Sequence, residues 1–210
     1  MPQRLAFAIS LIFHPLLLPT FVMGLMFFIS PNLVVVASKK GRWLLLEMTF
    51  LLTFSVPVLI MIILKRLQVI GSLSLPSRKE RRLPFAIICT IYVATAYLFY
   101  ILTQKIYLDE KILLVFGSIC FSLFLLTVVT FFYKISAHNL AIAGVFGGML
   151  AMALRYQEYI LGFPLAITAI IWGAVASARL SMKAHSWQEV FWGSMLGFWT
   201  NFLIILLWKV

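Results

Sequence analysis

YILGFPLAITAIIWGAVASARLSMKAHSWQEVFWGSMLGFWTNFLIILLW, residues 159–208, decides the fold. Two apolar runs stand in it, 159–178 and 187–208, and each matches the roughly 20 residues a helix needs to cross a ~30 Å hydrocarbon core. The polar segment Arg179-Leu-Ser-Met-Lys-Ala-His-Ser-Trp-Gln-Glu189 joins them. In lipid only helices and closed barrels satisfy every backbone group, and these runs lack the alternation of a barrel strand. The stretch is read as two spanning helices joined by a short polar turn.

The same reading extends outward. The chain is 63% hydrophobic and 11% charged over 210 residues, where a soluble domain has about 25% charged residues. Further apolar runs lie near 5–29, 43–64, 84–103, 112–133 and 139–154, the last short enough to borrow flanking residues. The sequence predicts an all-α, polytopic transmembrane helix bundle of about seven spans, forming one integral membrane domain over 1–210. Run 5–29 is longer than a signal-peptide core and contains His14, Pro15 and Pro19, so it is expected to be a retained span kinked at its prolines. Cys89 and Cys120 sit inside apolar runs without C-x-x-C spacing and are read as apolar fillers rather than ligands.

The 17 Lys+Arg against 6 Asp+Glu fit topology-setting loops, anionic lipid or phosphate. Too little chain lies outside the apolar runs for nucleic-acid binding. Two small-x-x-x-small pairs, Gly144/Gly148 and Gly193/Gly197, permit close helix approach, within the bundle or between two copies.

Three polar loops concentrate the chemistry. Residues 65–83 end in Arg78, Lys79, Glu80, Arg81 and Arg82, with Pro84 expected in the first turn of the next helix. Ser136 and His138 open the fifth span, where a small-residue loop is expected to leave backbone N–H groups for an anion. In 179–189, His185 and Glu189 stand four apart, so on a helix the carboxylate reaches the imidazole. There it fixes the tautomer and supports positive charge. Arg179 adds a fork suited to phosphate oxygens. An even number of spans separates each loop from the next, which puts all three on one side of the membrane.

These residues resemble the motifs of the type 2 phosphatidic acid phosphatase family, integral membrane relatives of vanadium haloperoxidases. That family carries Lys, six residues, Arg-Pro; then Pro-Ser-Gly-His; then Ser-Arg, five residues, His, three residues, Asp. The third motif is matched by Ala178-Arg179, His185 and Glu189, with Ala for Ser and Glu for Asp. The second is matched by Ile135-Ser136-Ala137-His138, with Ile for Pro and Ala for Gly. The first is approached by Arg78 to Pro84, without the Lys and with Leu83 before the Pro. The resemblance covers roughly 65–208 and implies a six-span core plus one added span.

It implies a metal-independent lipid-phosphate phosphatase without cofactor, acting on a phosphomonoester or pyrophosphate of a lipid such as polyprenyl pyrophosphate, phosphatidylglycerol phosphate or phosphatidic acid. His185 would be the nucleophile forming a phosphohistidine, Glu189 its orienting carboxylate and His138 the general acid and base. Arg179, Arg78, Lys79, Arg81, Arg82 and Ser136 would bind the phosphate. The alternative is a weakened or inactive module of the same fold that binds lipid or assembles with a partner, because the Glu-for-Asp change adds a methylene that shifts His185. The family implies a cell membrane, bacterial inner membrane by type. Setting aside the motif cations Arg78, Lys79, Arg81, Arg82, Arg179 and Lys183, the remaining Lys and Arg favour a periplasmic or extracellular active face.

Overall fold

The computed structural model describes residues 1–30, 33–34, 38–106 and 109–208. Among them six helices are long and apolar enough to cross a membrane, so the chain is an integral membrane protein. In chain order the helices are α1 (Gln3–Ile12), α2 (Leu18–Phe28), α3 (Lys39–Arg66), α4 (Arg78–Ile106), α5 (Glu110–Thr130), α6 (Ala137–Tyr156), α7 (Gly162–Ser181, entered by a 3₁₀ turn at Tyr159–Leu161) and α8 (Trp187–Leu207).

The expected seventh span, 5–29, is not one helix. It breaks after Ile12 into α1 and α2, each too short to cross a bilayer core. Pro15 supplies no N–H and disfavours helical backbone at His14. The local turn is closed instead by Leu16 N–H donating to His14 Nδ1 at 3.3 Å. Six spans remain, the number the resemblance implies for the core alone. Pro84 also differs from expectation: α4 begins at Arg78, so Pro84 lies inside the helix.

Proline also shapes α3. Pro57 cannot donate to the carbonyl of Thr53 four residues back. Tyr92 of α4 supplies that donor through its hydroxyl at 3.2 Å. Leu51–Ser55 relaxes to a π turn here, a form found where the i→i−4 ladder is interrupted. The Thr53 hydroxyl, shared between Thr49 O at 2.8 Å and Leu16 O at 3.3 Å, ties the α1–α2 joint to α3.

The centre of the bundle is the α6–α8 crossing. Small residues let the two backbones touch, as they do where helices pack in lipid. A Cβ on Gly197 would land on the Leu140 carbonyl, and one on Gly193 would meet the Ser136 carbonyl at 2.7 Å. Gly144 and Gly148 face Asn201 and Ile205 of the same chain. Both small-residue pairs are therefore used inside the bundle, and neither face is left for a second copy. Asn201 accepts from Ser118 at 2.9 Å and donates to Ser122 at 2.8 Å and to Gly197 O at 2.9 Å. This buried network joins α5 to the crossing. At the far end Arg155 caps α8 through the Ile205 carbonyl at 2.6 Å.

Gly197→Ala is expected to destabilise the protein by about 1–3 kcal/mol through backbone overpacking, whereas Gly117→Ala, where no atom lies within 4 Å of the added carbon, is neutral. Thermal unfolding midpoints in detergent micelles would compare the two; equal midpoints would remove the close crossing from the account.

Candidate functional site

The α6–α8 contact delivers the site. Because Gly193 has no side chain, the loop before α6 lies on α8, and Ser136 N–H donates to Glu189 O at 3.0 Å. Ser136 is fully buried, and its hydroxyl caps α6 by accepting from Asn139 N–H at 3.4 Å. Its amide was expected to serve an anion; it serves Glu189 instead. The first-turn donors left without an intrahelical acceptor are those of Ala137 and His138.

The turn from α7 into α8 is built by a Schellman ending. Lys183 N–H donates to Leu180 O at 2.9 Å and Ala184 N–H to Arg179 O at 3.1 Å. Lys183 occupies the left-handed region at φ 51°, a position that favours Gly. The tight reversal holds Arg179 and His185 at the same end of the bundle. Ser186 then opens α8 with a capping box: its hydroxyl accepts from Glu189 N–H at 3.3 Å and its own N–H donates to Glu189 Oε2 at 3.4 Å. The S-x-x-E signal for this box is in the sequence at 186–189.

Glu189 Oε2 lies 2.6 Å from His185 Nδ1. The box fixes the carboxylate in line with the ring. Lys134 Nζ lies 3.6 Å from the same oxygen and donates to Ala184 O at 3.1 Å. His185 is 7% exposed. Burial, reinforced by the charges of Arg81, Arg179 and Lys134, pushes its imidazole down to about 3. The ring is thus neutral at pH 7. Its proton sits on Nδ1, donated to Glu189, and the lone pair is on Nε2.

Arg179 is the hub. His14, His138, His185 and Arg81 all lie within its electrostatic reach. Its Nε is buried without a protein partner. His138 comes from the first turn of α6, and its Nε2 donates to Ser10 O of α1 at 3.1 Å. The His14 ring stands edge-on to His138 with centroids 5.4 Å apart.

Of the basic cluster, Arg81 alone turns into this end of the bundle. It is 6% exposed and donates to Leu75 O at 2.9 Å and Ile135 O at 3.1 Å. Arg78 and Arg82, expected to bind phosphate, instead donate to the Phe132 and Phe131 carbonyls. They cap the negative C-terminus of α5, and Arg82 also lies 5.1 Å over the Phe131 ring. Lys79 is exposed. Of the residues singled out in the sequence, the structure brings His185, His138, Glu189, Arg179 and Arg81 to one end of the bundle, and it adds His14 and Lys134 beside them. His14 had a signal, an ionisable residue in an apolar run. Lys134 had none, being one basic residue among many in loops.

Among the described residues no group of three His, Cys, Asp or Glu side chains is arranged to hold a metal. The chemistry on offer is a neutral imidazole aligned by a carboxylate, a second imidazole, and cations in excess of acidic partners.

Two outcomes follow. The unfolded chain binds the His185 proton near 6.5 and the native one near 3, so this residue's contribution to stability is present above pH 6.5 and is lost as pH falls toward 3. Between pH 7 and 4.5 the native protein should lose on the order of 2 kcal/mol more than His185→Gln, read from unfolding midpoints in micelles at each pH. Lys183→Gly should raise the midpoint by up to about 1 kcal/mol equivalent, by relieving the left-handed lysine; a lower midpoint would reject that account of the turn.

No protein-family model, curated sequence or solved structure matches this chain, and its function is read from the geometry above.

Proposed function

We propose that the protein is a lipid-phosphate phosphatase working through a phosphohistidine on His185. The observation that carries the reading is a charge imbalance. Arg81, Arg179 and Lys134 all act on His185, while Glu189 is the acidic side chain paired with it. Cations held away from water are costly unless paired, and the orphaned Nε of Arg179 lacks an acceptor that a phosphate oxygen would supply. The first-turn N–H groups of Ala137 and His138 add donors at a helix N-terminus.

In the reaction, the Nε2 lone pair of His185 attacks phosphorus as the bond from phosphorus to the lipid oxygen breaks. Glu189 holds the developing imidazolium through Nδ1. Protonated His138 gives its proton to the leaving oxygen, releasing the lipid alcohol. Water then attacks the phosphohistidine, His138 takes a proton from it, the P–N bond breaks, and inorganic phosphate leaves. Arg179 and Arg81 balance charge on the equatorial oxygens, where positioned cations do most of the catalytic work. The resemblance, together with a site at one end of a membrane-spanning bundle, points to a phosphate carried on a lipid. The active face is proposed to be periplasmic or extracellular, with the bacterial inner membrane as the setting.

The bond from His138 to the Ser10 carbonyl favours a second reading. While α1 holds that proton, His138 cannot deliver it from Nε2, and the fold would bind lipid phosphate without turnover.

Purified protein in micelles should release inorganic phosphate from a lipid phosphate without added metal. His185→Ala and His138→Ala should each lower the rate about 10³-fold, with Arg179→Lys losing about 10²-fold because the fork is lost. Mass spectrometry after a denaturing quench should find phosphate on His185 in wild type. Release that survives both histidine changes would reject the proposal; tight binding with no release by wild type would favour the second reading.

A further inference from the structure

Below the charged end of the bundle runs a long hollow among α2, α4, α5, α6 and α8. At the charged end it is lined by Pro15 and Ala137, the chain neighbours of His14 and His138. Along α6 it passes Ala141 and Val145 and ends near Met152. From Ala137 to Met152 is a descent of about 22 Å at 1.5 Å per residue, most of the ~30 Å hydrocarbon core. The hollow holds about 820 Å³ of space free of atoms, partly open to the outside. Spread along that descent, the space is an elongated slot rather than a chamber.

The lining decides what fits. It is overwhelmingly apolar, and its polar members at mid-depth, Ser118, Ser122 and Asn201, bond to one another. They ask nothing of a guest, so a hydrated or hydrogen-bonding ligand gains nothing there. An apolar void of this kind forfeits contacts on every wall, which a hydrocarbon restores. An elongated apolar space suits one hydrocarbon chain laid along it.

We infer that this slot is the seat of one linear hydrocarbon chain, alkyl or prenyl, whose phosphate end lies at His14 and His138, and that the protein selects single-chain over two-chain lipid phosphates. The phosphate at the charged end rests on the phosphatase reading; the chain in the slot rests on the slot's shape and lining. Because the slot is walled by α2, the N-terminal hairpin becomes part of the substrate site.

Radiolabelled alkyl monophosphates from butyl to octadecyl, added to the protein in phosphatidylcholine nanodiscs, test this. Retention should rise about two- to fourfold per added CH₂ and level off once the slot is full. Val145→Trp blocks the slot about 12 Å below Ala137. It should move the levelling point to a chain of about half the length and leave butyl phosphate retention unchanged. Ile119→Trp blocks from the α5 wall and should act alike if Val145→Trp fails to fold. Ile170→Trp, on an outward face that is 74% exposed, should change nothing. A two-chain phosphatidic acid should compete about tenfold more weakly than an octadecyl phosphate, an expectation from a slot that suits one chain.

Chain-length dependence equal in wild type and in both blocked variants would overturn the slot, since the chain would then lie in bulk lipid; so would equal competition by the two-chain lipid. Phosphate release that is indifferent to chain length and to blocking would sink the slot while sparing the phosphatase. Length-selective retention without phosphate release would do the reverse.

Discussion

The backbone-to-backbone approach of α6 and α8 underlies everything else in this molecule. It exists because Gly193 and Gly197 carry no side chain where Ser136 and Leu140 pass. In a bilayer there is little hydrophobic gain from pressing two helices together, so close van der Waals contact between small residues is what holds them. The consequence is chemical as well as mechanical. The loop entering α6 is brought to the first turn of α8, and Ser136 bonds Glu189 through the backbone. The two motif histidines meet at one end because two glycines permit it.

That end holds an unusual charge arrangement for a membrane protein. Cations from α4, α7 and the loop before α6 converge on a buried imidazole with one aligned carboxylate. Arg81 is anchored by carbonyls and Lys134 by a carbonyl and Glu189, while the Nε of Arg179 is buried without a partner. Anchoring limits their rearrangement, so the positive field is present before any ligand arrives. Preorganised donors of this sort stabilise charge that develops on a phosphoryl group without further reorientation.

The N-terminal segment changes meaning once folded. As sequence it is an apolar run with a His-Pro break. In the fold, α1 supplies the Ser10 carbonyl to His138, the joint presents His14 to the same ring, and α2 walls the slot beneath. The segment thus contributes both to the charged end and to the apolar slot beneath it.

Six of the seven expected spans, and the polar turns between them, follow from the sequence alone, because hydropathy and length act locally. The sequence also put Glu189 beside His185, but by helix spacing; His185 stands outside α8, and it is the capping box at Ser186 that turns the carboxylate back onto the ring. Which arginine of the 78–82 cluster turns inward did not follow. Arg81 differs from Arg78 and Arg82 only in helical phase against α5 and the loop at Ile135, and phase against a distant element is absent from local composition. The break of run 5–29, the use of both glycine pairs within the bundle and the slot were likewise decided only by tertiary structure. Each depends on which surfaces face each other, and packing among segments far apart in the chain settles that.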